Sequence, residues 1–506
     1  MTTDQIPELV AAILEFLSFL FILAVGLGVL WIAVTYVQDK TQKESTLRRN
    51  YPVIARFRYL FEHLGEFFRQ YFFALDREEM PFNRAERSWV YRAAKNVDST
   101  VAFGSSRDLR PAGTIYFVNC PFPTLAEEVK EPAKVVIGST CKYPYETVST
   151  FNISGMSFGA LSVPAVRALS SGAKKAGIFM NTGEGGLSPY HVEGGADIVF
   201  QIGTAKFGVR KPEGGFDEEK LRAIAAHKQV RMFELKLSQG AKPGKGGILP
   251  GAKVTEEIAA IRGIPVGEAA ISPNRHPEVD SVEDLLDMLN YIRNTTGKPV
   301  GFKAVVGAYG FFEDFCELIN KRGVDSAPDF ITIDSADGGT GAAPMSLIDN
   351  MGMPIRESLP LVVDILKKYG LRDRIKVFAS GKMINPSEVA WAYCAGADFV
   401  NSARGFMFAL GCIQSLQCNK NTCPTGITTH NPKLQYGLDP ATKSERVASY
   451  AKNMQKEIDM IAHSCGVSEP RLLTRHHARV VLGNGRSVSM AELYPELKPI
   501  KKSAAE

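Results

Sequence analysis

The chain of 506 residues lacks the features that mark several large classes of protein. It has no low-complexity tract and no internal repeat, which argues against a disordered, fibrous or solenoid protein. Its net charge is only +5, with a pI near 8.6, and no dense basic stretch accompanies it. Because nucleic-acid-binding domains carry a concentrated basic face, we expect no nucleic-acid partner.

Cysteine is also sparse, with eight residues in the whole chain, so a disulfide-stapled fold is excluded. Five cysteines are scattered singly, and we interpret them as small buried thiols: Cys120, Cys141, Cys316, Cys394 and Cys465. Only Cys412, Cys418 and Cys423 lie close together along the chain. This usage is typical of a reducing compartment.

Charge is absent from a long apolar run near the N-terminus. Residues 16–37 contain no Asp, Glu, Lys or Arg, and about 20 apolar residues are enough to cross a bilayer. A cleaved signal peptide would have a basic start and a shorter apolar core, and a buried helix would keep a polar face. We therefore predict a transmembrane anchor over residues 9–37.

Positive charge follows this anchor at Lys40, Lys43, Arg48 and Arg49. The positive-inside rule then predicts a single-pass protein of the inner (cytoplasmic) membrane, with its catalytic domain in the cytoplasm.

Residues 38–142 are predicted to be a juxtamembrane segment and an irregular lead-in. Within them, Tyr51 to Leu75 mixes aromatic and charged residues in the pattern of an amphipathic helix. Two placements stay open for this helix: on the membrane surface beside the anchor, or with its aromatic face packed on the soluble domain.

From residue 143 to 437 the pattern predicts a (β/α)8 TIM barrel. Short β-branched runs alternate with helical stretches, which indicates a parallel sheet, and eight such runs favour closure over an open doubly wound sheet. A helical extension is expected over residues 438–506. The predicted strands are Phe151–Gly155, Ile178–Asn181, Ile198–Ile202, Met232–Leu235, Val300–Val305, Phe330–Asp334, Ile375–Ala379 and Phe399–Asn401.

Polar and glycine-rich segments follow several of these strands, where a TIM barrel builds its active site. The last three strands are followed by Asp337-Gly338-Gly339-Thr340-Gly341, Ser380-Gly381 and Ala403-Arg404. Glycine lets backbone N–H groups approach an anion closely, so these turns predict a phosphate site. Two long connections, residues 206–229 and 240–276, are predicted insertions, and the second is rich in Gly and Lys like a substrate lid.

The cysteine group has the spacing Cys412-x5-Cys418-x4-Cys423-Pro424. Thiolates hold iron–sulfur clusters, and proline after the last cysteine is common in such motifs. Three cysteines fit a three-iron cluster or a four-iron cluster with a labile corner. The competing interpretation is zinc with a histidine such as His430, but zinc sites favour more closely spaced pairs.

These motifs together resemble a known family. The segments 156–162 (Met-Ser-Phe-Gly-Ala-Leu-Ser), 181–186 (Asn-Thr-Gly-Glu-Gly-Gly) and 337–342 (Asp-Gly-Gly-Thr-Gly-Ala), with the cysteine motif, resemble the FMN and iron–sulfur synthase region of glutamate synthase. The chain is most similar to the stand-alone, membrane-tethered glutamate synthase-like proteins that have no glutaminase domain. The similarity covers residues 151–432.

The resemblance implies FMN and a [3Fe-4S] cluster held by the three cysteines. It also implies a 2-oxo acid substrate, 2-oxoglutarate above all, with ammonia or an amine and an unidentified electron donor. Glu184, Gln239 and Lys242 are the implied catalytic residues, Glu184 managing a proton and Lys242 binding a carboxylate. The expected FMN-binding residues are Met156, Ser157, Lys236, Lys303, Asp337, Gly338, Gly339, Thr340, Gly341, Ser380, Gly381, Ala403 and Arg404.

Lys236 and Lys303 each end a strand, where a buried cation requires an anion. We expect Lys236 to face the flavin, whereas Lys303 fits equally well an ion pair with Glu234 or Asp334.

The sequence departs from the family pattern in two places: Leu187 stands where the family has an acidic residue, and the lid has Lys245 and Ile248 where the family has Glu and Gln. The predicted activity is reductive amination of a 2-oxo acid to glutamate or a related amino acid. The alternative is a membrane-associated electron-transfer protein with FMN and an iron–sulfur cluster and no 2-oxo acid chemistry.

Overall fold

The computed structural model describes residues 5–129, 132–308, 310–497 and 500. Two compact units are present, one ending at Ala85 and the other beginning at Glu86. The end of the predicted C-terminal extension (498, 499 and 501–506) lies outside the described residues.

The first unit consists of helices. α1 (Gln5–Thr41) is followed by α2 (Thr46–Asn50) and α3 (Ile54–Phe68), and α3 continues as a π-helical turn over Arg69–Phe73. Residues 10–41 of α1 are the one stretch among the described residues that is long and apolar enough to cross a membrane. Within residues 51–75, where an amphipathic helix was predicted, the structure has α3 and its π-helical turn.

The second unit begins with a lead-in of short elements. They precede the barrel and cover parts of its outside and one end: α4 (Arg84–Ala94), β1 (Ile115–Phe117), β2 (Val135–Ile137) and β3 (Tyr145–Thr147). β2 and β3 pair as an antiparallel hairpin.

Eight parallel strands close into a barrel, which confirms the predicted TIM barrel and excludes the open sheet. The barrel strands are β4 (Phe151–Ile153), β5 (Met180–Asn181), β6 (Ile198–Ile202), β7 (Val230–Lys236), β10 (Val300–Ala304), β11 (Phe330–Asp334), β12 (Lys376–Ser380) and β13 (Phe399–Ser402). Their order around the barrel is β10-β11-β12-β13-β4-β5-β6-β7. Two further strands, β8 (Ile248–Leu249) and β9 (Ala270–Ile271), form a separate small hairpin.

Helices fill the connections between the barrel strands. They are α5 (Val163–Ala176), α6 (Pro189–Glu193), α7 (Glu218–Ala226), α8 (Glu256–Arg262), α9 (Val282–Thr296), α10 (Phe311–Arg322), α11 (Met345–Ile348), α12 (Ile355–Lys368), α13 (Pro386–Ala395) and α14 (Arg404–Leu410). The predicted insertion over 206–229 is wrong in one respect, because it contains α7, the crossover helix of its own unit. The segment 240–276 is a true excursion that carries β8, α8 and β9, and we call it the lid.

The amino-terminal end of the barrel is filled by aromatic side chains. Phe330 stacks on Phe378 with ring centroids 4.8 Å apart, and Phe399 packs on Phe378 at a tilt of 57°, with centroids 4.7 Å apart. Ile137 and Tyr145 of the β2–β3 hairpin belong to the same buried cluster. This end of the barrel is therefore a packed core, which leaves the carboxyl ends of the strands for a site.

The residues after the barrel are integrated with it. α15 (Pro432–Gln435) leads to α16 (Pro440–Ser464), which packs along α5, α13 and α14. Tyr450 of α16 is fully buried and donates a hydrogen bond to the carbonyl of Ile384 (2.9 Å). The chain ends in β14 (Ala478–Val481), β15 (Ser487–Ser489) and α17 (Met490–Leu493), and β14 pairs with β1.

Candidate active site

A deep pocket opens at the carboxyl ends of the barrel strands, with about 1330 Å³ of space when the open region at its mouth is included. It brings together most of the residues predicted from the sequence. Four of them are not in its wall: Asp337, Gly338, Cys412 and Cys423. Those that line it are Met156, Ser157, Glu184, Lys236, Gln239, Lys242, Lys303, Gly339, Thr340, Gly341, Ser380, Gly381, Ala403, Arg404 and Cys418.

Glu184 occupies a slot between two glycines. A Cβ at Gly247 would lie 2.2 Å from its Oε1, and a Cβ at Gly203 would lie 2.6 Å from its Oε2. Gly247 belongs to the lid, so the lid closes directly on this carboxylate. Burial opposes its ionisation, but Lys236, Lys242 and Arg262 together hold the pKa of Glu184 below its usual value.

Lys236, at the end of β7, connects Glu184 to the glycine loop. Its Nζ lies 3.1 Å from Oε1 of Glu184 and also donates to Oε1 of Gln239. The amide of Gln239 then donates to Oγ1 of Thr340 (3.0 Å). Four of the predicted residues, Glu184, Lys236, Gln239 and Thr340, are thus ordered in one chain of polar contacts that runs across the pocket.

Lys303, at the end of β10, pairs with Asp334 of the next strand (Nζ to Oδ2, 3.2 Å). The same Oδ2 accepts the backbone N–H of Gly240 at the start of the lid (2.8 Å). The sequence left two carboxylate partners open, and the structure selects Asp334. Lys303 also lines the pocket, so the ion pair does not remove it from the site.

The loop after β11 has the character of an anion cradle. Within the described residues, the backbone N–H groups of Gly339, Thr340 and Gly341 donate no hydrogen bond to a backbone carbonyl. The space beside Gly341 is open, since a Cβ there would meet nothing within 4 Å. Free N–H groups in a glycine turn that lines a pocket suit a phosphate group. Gly381, with φ +112°, approaches Ser335 so closely that a Cβ would lie 2.4 Å away.

Asp337 and Gly338 support this loop from behind. Asp337 pairs with Lys382 (3.0 Å) and accepts a hydrogen bond from the Ser335 hydroxyl. Gly338 donates to the carbonyl of Ser335 (2.9 Å). Arg404 donates to the carbonyl of Thr340 and packs on Gly339, where a Cβ would meet its Nε at 2.7 Å. These contacts fit an FMN phosphate at Gly339–Gly341.

The lid brings three cations to the pocket: Lys242, Lys253 and Arg262. Burial, helped by Lys236, lowers the pKa of Lys242 to about 8, and burial lowers the pKa of Arg262 to about 10. Arg262 donates to the carbonyl of Phe158 (3.0 Å), and its Nε has no partner among the described residues. Such partly satisfied cations beside one carboxylate suit an anionic substrate.

Beneath the pocket lies a buried carboxylate, Glu234, that no cation contacts directly within the described residues. Its oxygens accept hydrogen bonds from Asn181 (2.8 Å), Gln201 (2.6 Å) and Thr332 (2.6 Å). Gln201 also lines the pocket. This satisfied network fixes the pocket floor.

The three motif cysteines lie in one loop whose backbone takes left-handed conformations at Gln414, Leu416 and Asn421. Burial raises the pKa of Cys412, and the neighbouring Cys418 and Cys423 raise it further. Cys418 accepts a hydrogen bond from Arg404 (3.7 Å), and Cys423 contacts the Thr425 hydroxyl (3.4 Å).

The donor chemistry of this loop, three thiols, fits an iron–sulfur cluster. No group of three His, Cys, Asp or Glu side chains in the described part of the chain is close enough to hold a metal ion, so the cluster stays a prediction. In the zinc alternative His430 would be a metal ligand. Its Nε2 is instead hydrogen-bonded to the carbonyl of Gly159 (2.8 Å).

Lys253 joins the cysteine loop to the pocket and was not predicted from the sequence. Its Nζ donates to the carbonyls of Ala160 (3.0 Å) and Cys418 (3.1 Å), and it lines the pocket. Arg262 and Gln201 were also missed. For Gln201 a signal existed, because it is the one polar residue in the buried strand Ile198–Ile202; for the two cations nothing in the sequence sets them apart from other lid charges.

Comparison with known proteins identifies the family of the chain. Residues 119–468 match the family described as the conserved region in glutamate synthase. A Bacillus subtilis protein, glutamate synthase large subunit-like protein YerD, is 40% identical over 90% of this chain and 93% of its own length. The archaeal glutamate synthase [NADPH] of Methanocaldococcus jannaschii is 36% identical over 69% of this chain, which spans 64% of that relative.

Among solved structures, a flavocytochrome b2 variant with sulfite bound is 15% identical, with a TM-score of 0.46 over 88% of this chain and 93% of that chain. The barrel assignment rests on the strand pairing of this chain and not on that likeness. The chain belongs to the glutamate synthase family and is a glutamate synthase-like oxidoreductase.

Proposed function

We propose that the pocket binds FMN and a 2-oxo acid and that the protein reductively aminates the acid, 2-oxoglutarate being the favoured substrate and glutamate the product. The observation that carries the proposal is the meeting of Glu184, Lys236, Lys242 and Arg262 beside a glycine cradle in one pocket. FMN supplies hydride to an imine carbon when it is bound. The cradle at Gly339–Gly341 supports its placement.

In this proposal the side chains act on the acid before reduction. Lys242 and Arg262 bind its carboxylates. Ionised Glu184 moves two protons, one after the other, from the ammonia nitrogen that adds to the keto carbon to the keto oxygen. The first transfer gives the carbinolamine, and the second lets the oxygen leave as water. The result is an imine, which the lid shields from hydrolysis by excluding solvent.

The cysteine loop is proposed to hold a [3Fe-4S] cluster, which supplies single electrons from an unidentified donor. Support comes from the spacing of Cys412, Cys418 and Cys423 and from two residues that join this loop to the pocket. Arg404 contacts both Thr340 and Cys418, and Lys253 contacts both Ala160 and Cys418.

We also propose that α1 anchors the protein in the inner membrane with the second unit in the cytoplasm. The length and hydropathy of residues 10–41 support the anchor, and the basic residues that follow support the orientation.

The test is a steady-state assay of amino acid formation with a reduced viologen as donor and a panel of 2-oxo acids with ammonium. Lys242→Gln should raise the KM for the acid at least tenfold. The matched control is Lys245→Gln, because Lys245 is exposed in the same lid. Protein that contains FMN and iron yet forms no amino acid from any acid would favour the electron-transfer alternative, which the departures Leu187 and Ile248 support.

A further inference from the structure

The helix that follows the predicted anchor carries an uncovered apolar stripe. Its members recur at the spacing of one helix face and are 36–67% exposed: Phe57, Leu60, Phe61, Leu64, Phe68 and Phe72. Large aromatic side chains are seldom left in water in a contiguous row, because each exposes a substantial apolar area. The stripe therefore requires an apolar surface to cover it.

The opposite face of α3 is polar. Arg58 and Glu62 form an exposed ion pair (3.0 Å), and Glu66 lies on the same side, half a turn around the helix from the stripe. A helix with one aromatic face and one charged face is the kind that lies in the plane of a membrane interface.

An ion pair between half-buried Arg56 and buried Asp39 fixes this helix to the end of α1. Asp39, with no exposed surface, accepts two hydrogen bonds from Nε and Nη2 of Arg56 (3.0 and 2.9 Å). The backbone N–H of Val53 donates to the same carboxylate (3.0 Å). Val53 has φ +68°, a conformation that a β-branched residue adopts only under constraint. We call these contacts the Asp39 clamp.

The charge of the segment around the Asp39 clamp indicates which kind of apolar surface covers the aromatic stripe. Residues 40–60 contain six Lys or Arg and one Glu. A basic segment directly after a membrane span is attracted to anionic lipid headgroups. A second copy of this chain would bring the same positive charge to the contact and would be repelled.

We propose that α3 and its π-helical turn lie in the headgroup region of an anionic bilayer, with the aromatic stripe toward the acyl chains. The Asp39 clamp sets the angle between α1 and α3, so that a spanning α1 brings the stripe onto the leaflet it has just left. The proposal rests on α1 being a membrane span and is independent of the reaction proposed for the pocket.

The test is photocrosslinking of the full-length protein in vesicles of phosphatidylcholine and phosphatidylglycerol. A benzoyl-phenylalanine is placed singly at position 61 on the stripe, at 66 on the opposite face, or at 20 within α1. Mass spectrometry should show lipid adducts at 20 and 61, and at least tenfold fewer at 66. Asp39→Asn should lower the yield at 61 several-fold and leave the yield at 20 unchanged. Glu62→Gln, which breaks the exposed Arg58–Glu62 pair without removing a positive charge, should lower neither yield.

Three results would overturn the proposal. Equal lipid yields at 61 and 66 would show that the helix has no preferred face toward lipid. Crosslinked dimers at 61 in place of lipid adducts would identify a second copy as the occupant of the stripe. If neither position 20 nor position 61 gave lipid adducts, α1 would not be a membrane span and the proposal would lose its basis. Amino acid formation could still proceed in that case.

Discussion

Replacing Gly247 by alanine tests the slot around Glu184. The backbone of Gly247 is outside the left-handed region, so alanine is compatible with its conformation. Its Cβ, however, would lie 2.2 Å from Oε1 of Glu184, where real contacts stay above 3.0 Å. The carboxylate must therefore retreat by about 1 Å, and Gly203 on the other side of the slot limits the directions it can take. We expect this retreat to break its 3.1 Å contact with Lys236. A misplacement of ~1 Å in an active site costs about 100-fold in rate, or about 2.7 kcal/mol of transition-state stabilisation.

The assay is kcat/KM for amino acid formation, with FMN content and thermal stability measured on the same preparation. Gly307→Ala is the matched control, because its Cβ would meet nothing within 4 Å and it also follows a barrel strand. Shortening the carboxylate with Glu184→Asp should recover part of the loss in Gly247→Ala. If Gly247→Ala kept the kcat/KM of Gly307→Ala, the proposed role of Glu184 would be refuted.

Three further predictions concern charge, cluster and stability. Since the free-enzyme pKa of Lys242 is about 8, log kcat/KM for the 2-oxo acid should fall as pH rises through 8, and Lys242→Arg should abolish that fall; a flat profile in the parent would count against the assignment. Cys418→Ser should lose the iron and its electron paramagnetic signal, whereas Cys394→Ser, a buried thiol of α13, should keep both. Arg475→Ala should lower the free energy of unfolding by about 3 kcal/mol, because it leaves Asp364 (2.7 Å away) buried and unpaired; denaturant unfolding that shows under 1 kcal/mol would contradict this.

The barrel was predictable from the sequence because its strands are short, apolar and separated by helices. Each predicted strand overlaps a barrel strand. Polar residues at the carboxyl ends of most of these strands, such as Lys236, Lys303 and Ser380, line the pocket. The insertion assigned to 206–229 was wrong because the helix there is only nine residues long (Glu218–Ala226) and buries only Leu221, so its apolar period is weak.

The partners within the pocket were less predictable. Lys303 pairs with Asp334 because β10 and β11 are neighbours in the barrel, and strand neighbours are a property of the closed sheet. Arg262 reaches the pocket because α8 folds back over it, with the guanidinium 3.0 Å from the carbonyl of Phe158, over a hundred positions earlier in the chain. Neither distance is encoded by local spacing.

The roles of Asp337 and Gly338 also depend on tertiary structure. Both lie in the motif from which a phosphate site was predicted, yet neither lines the pocket. Asp337 turns toward Lys382 of the next loop, and this ion pair joins two of the three loops that form the cradle. We therefore interpret Asp337 as a residue that positions the loop. Gly339, Thr340 and Gly341 line the pocket, where the FMN phosphate is proposed to bind.

The most direct test of the central claim is a single-turnover experiment without oxygen. The purified protein is fully reduced, mixed with 2-oxoglutarate and ammonium, and followed by flavin absorbance and by glutamate analysis. We predict that the flavin is reoxidised only when both substrates are present and that one glutamate forms per flavin. Protein that contains FMN and iron but stays reduced, with no glutamate formed, would contradict the account.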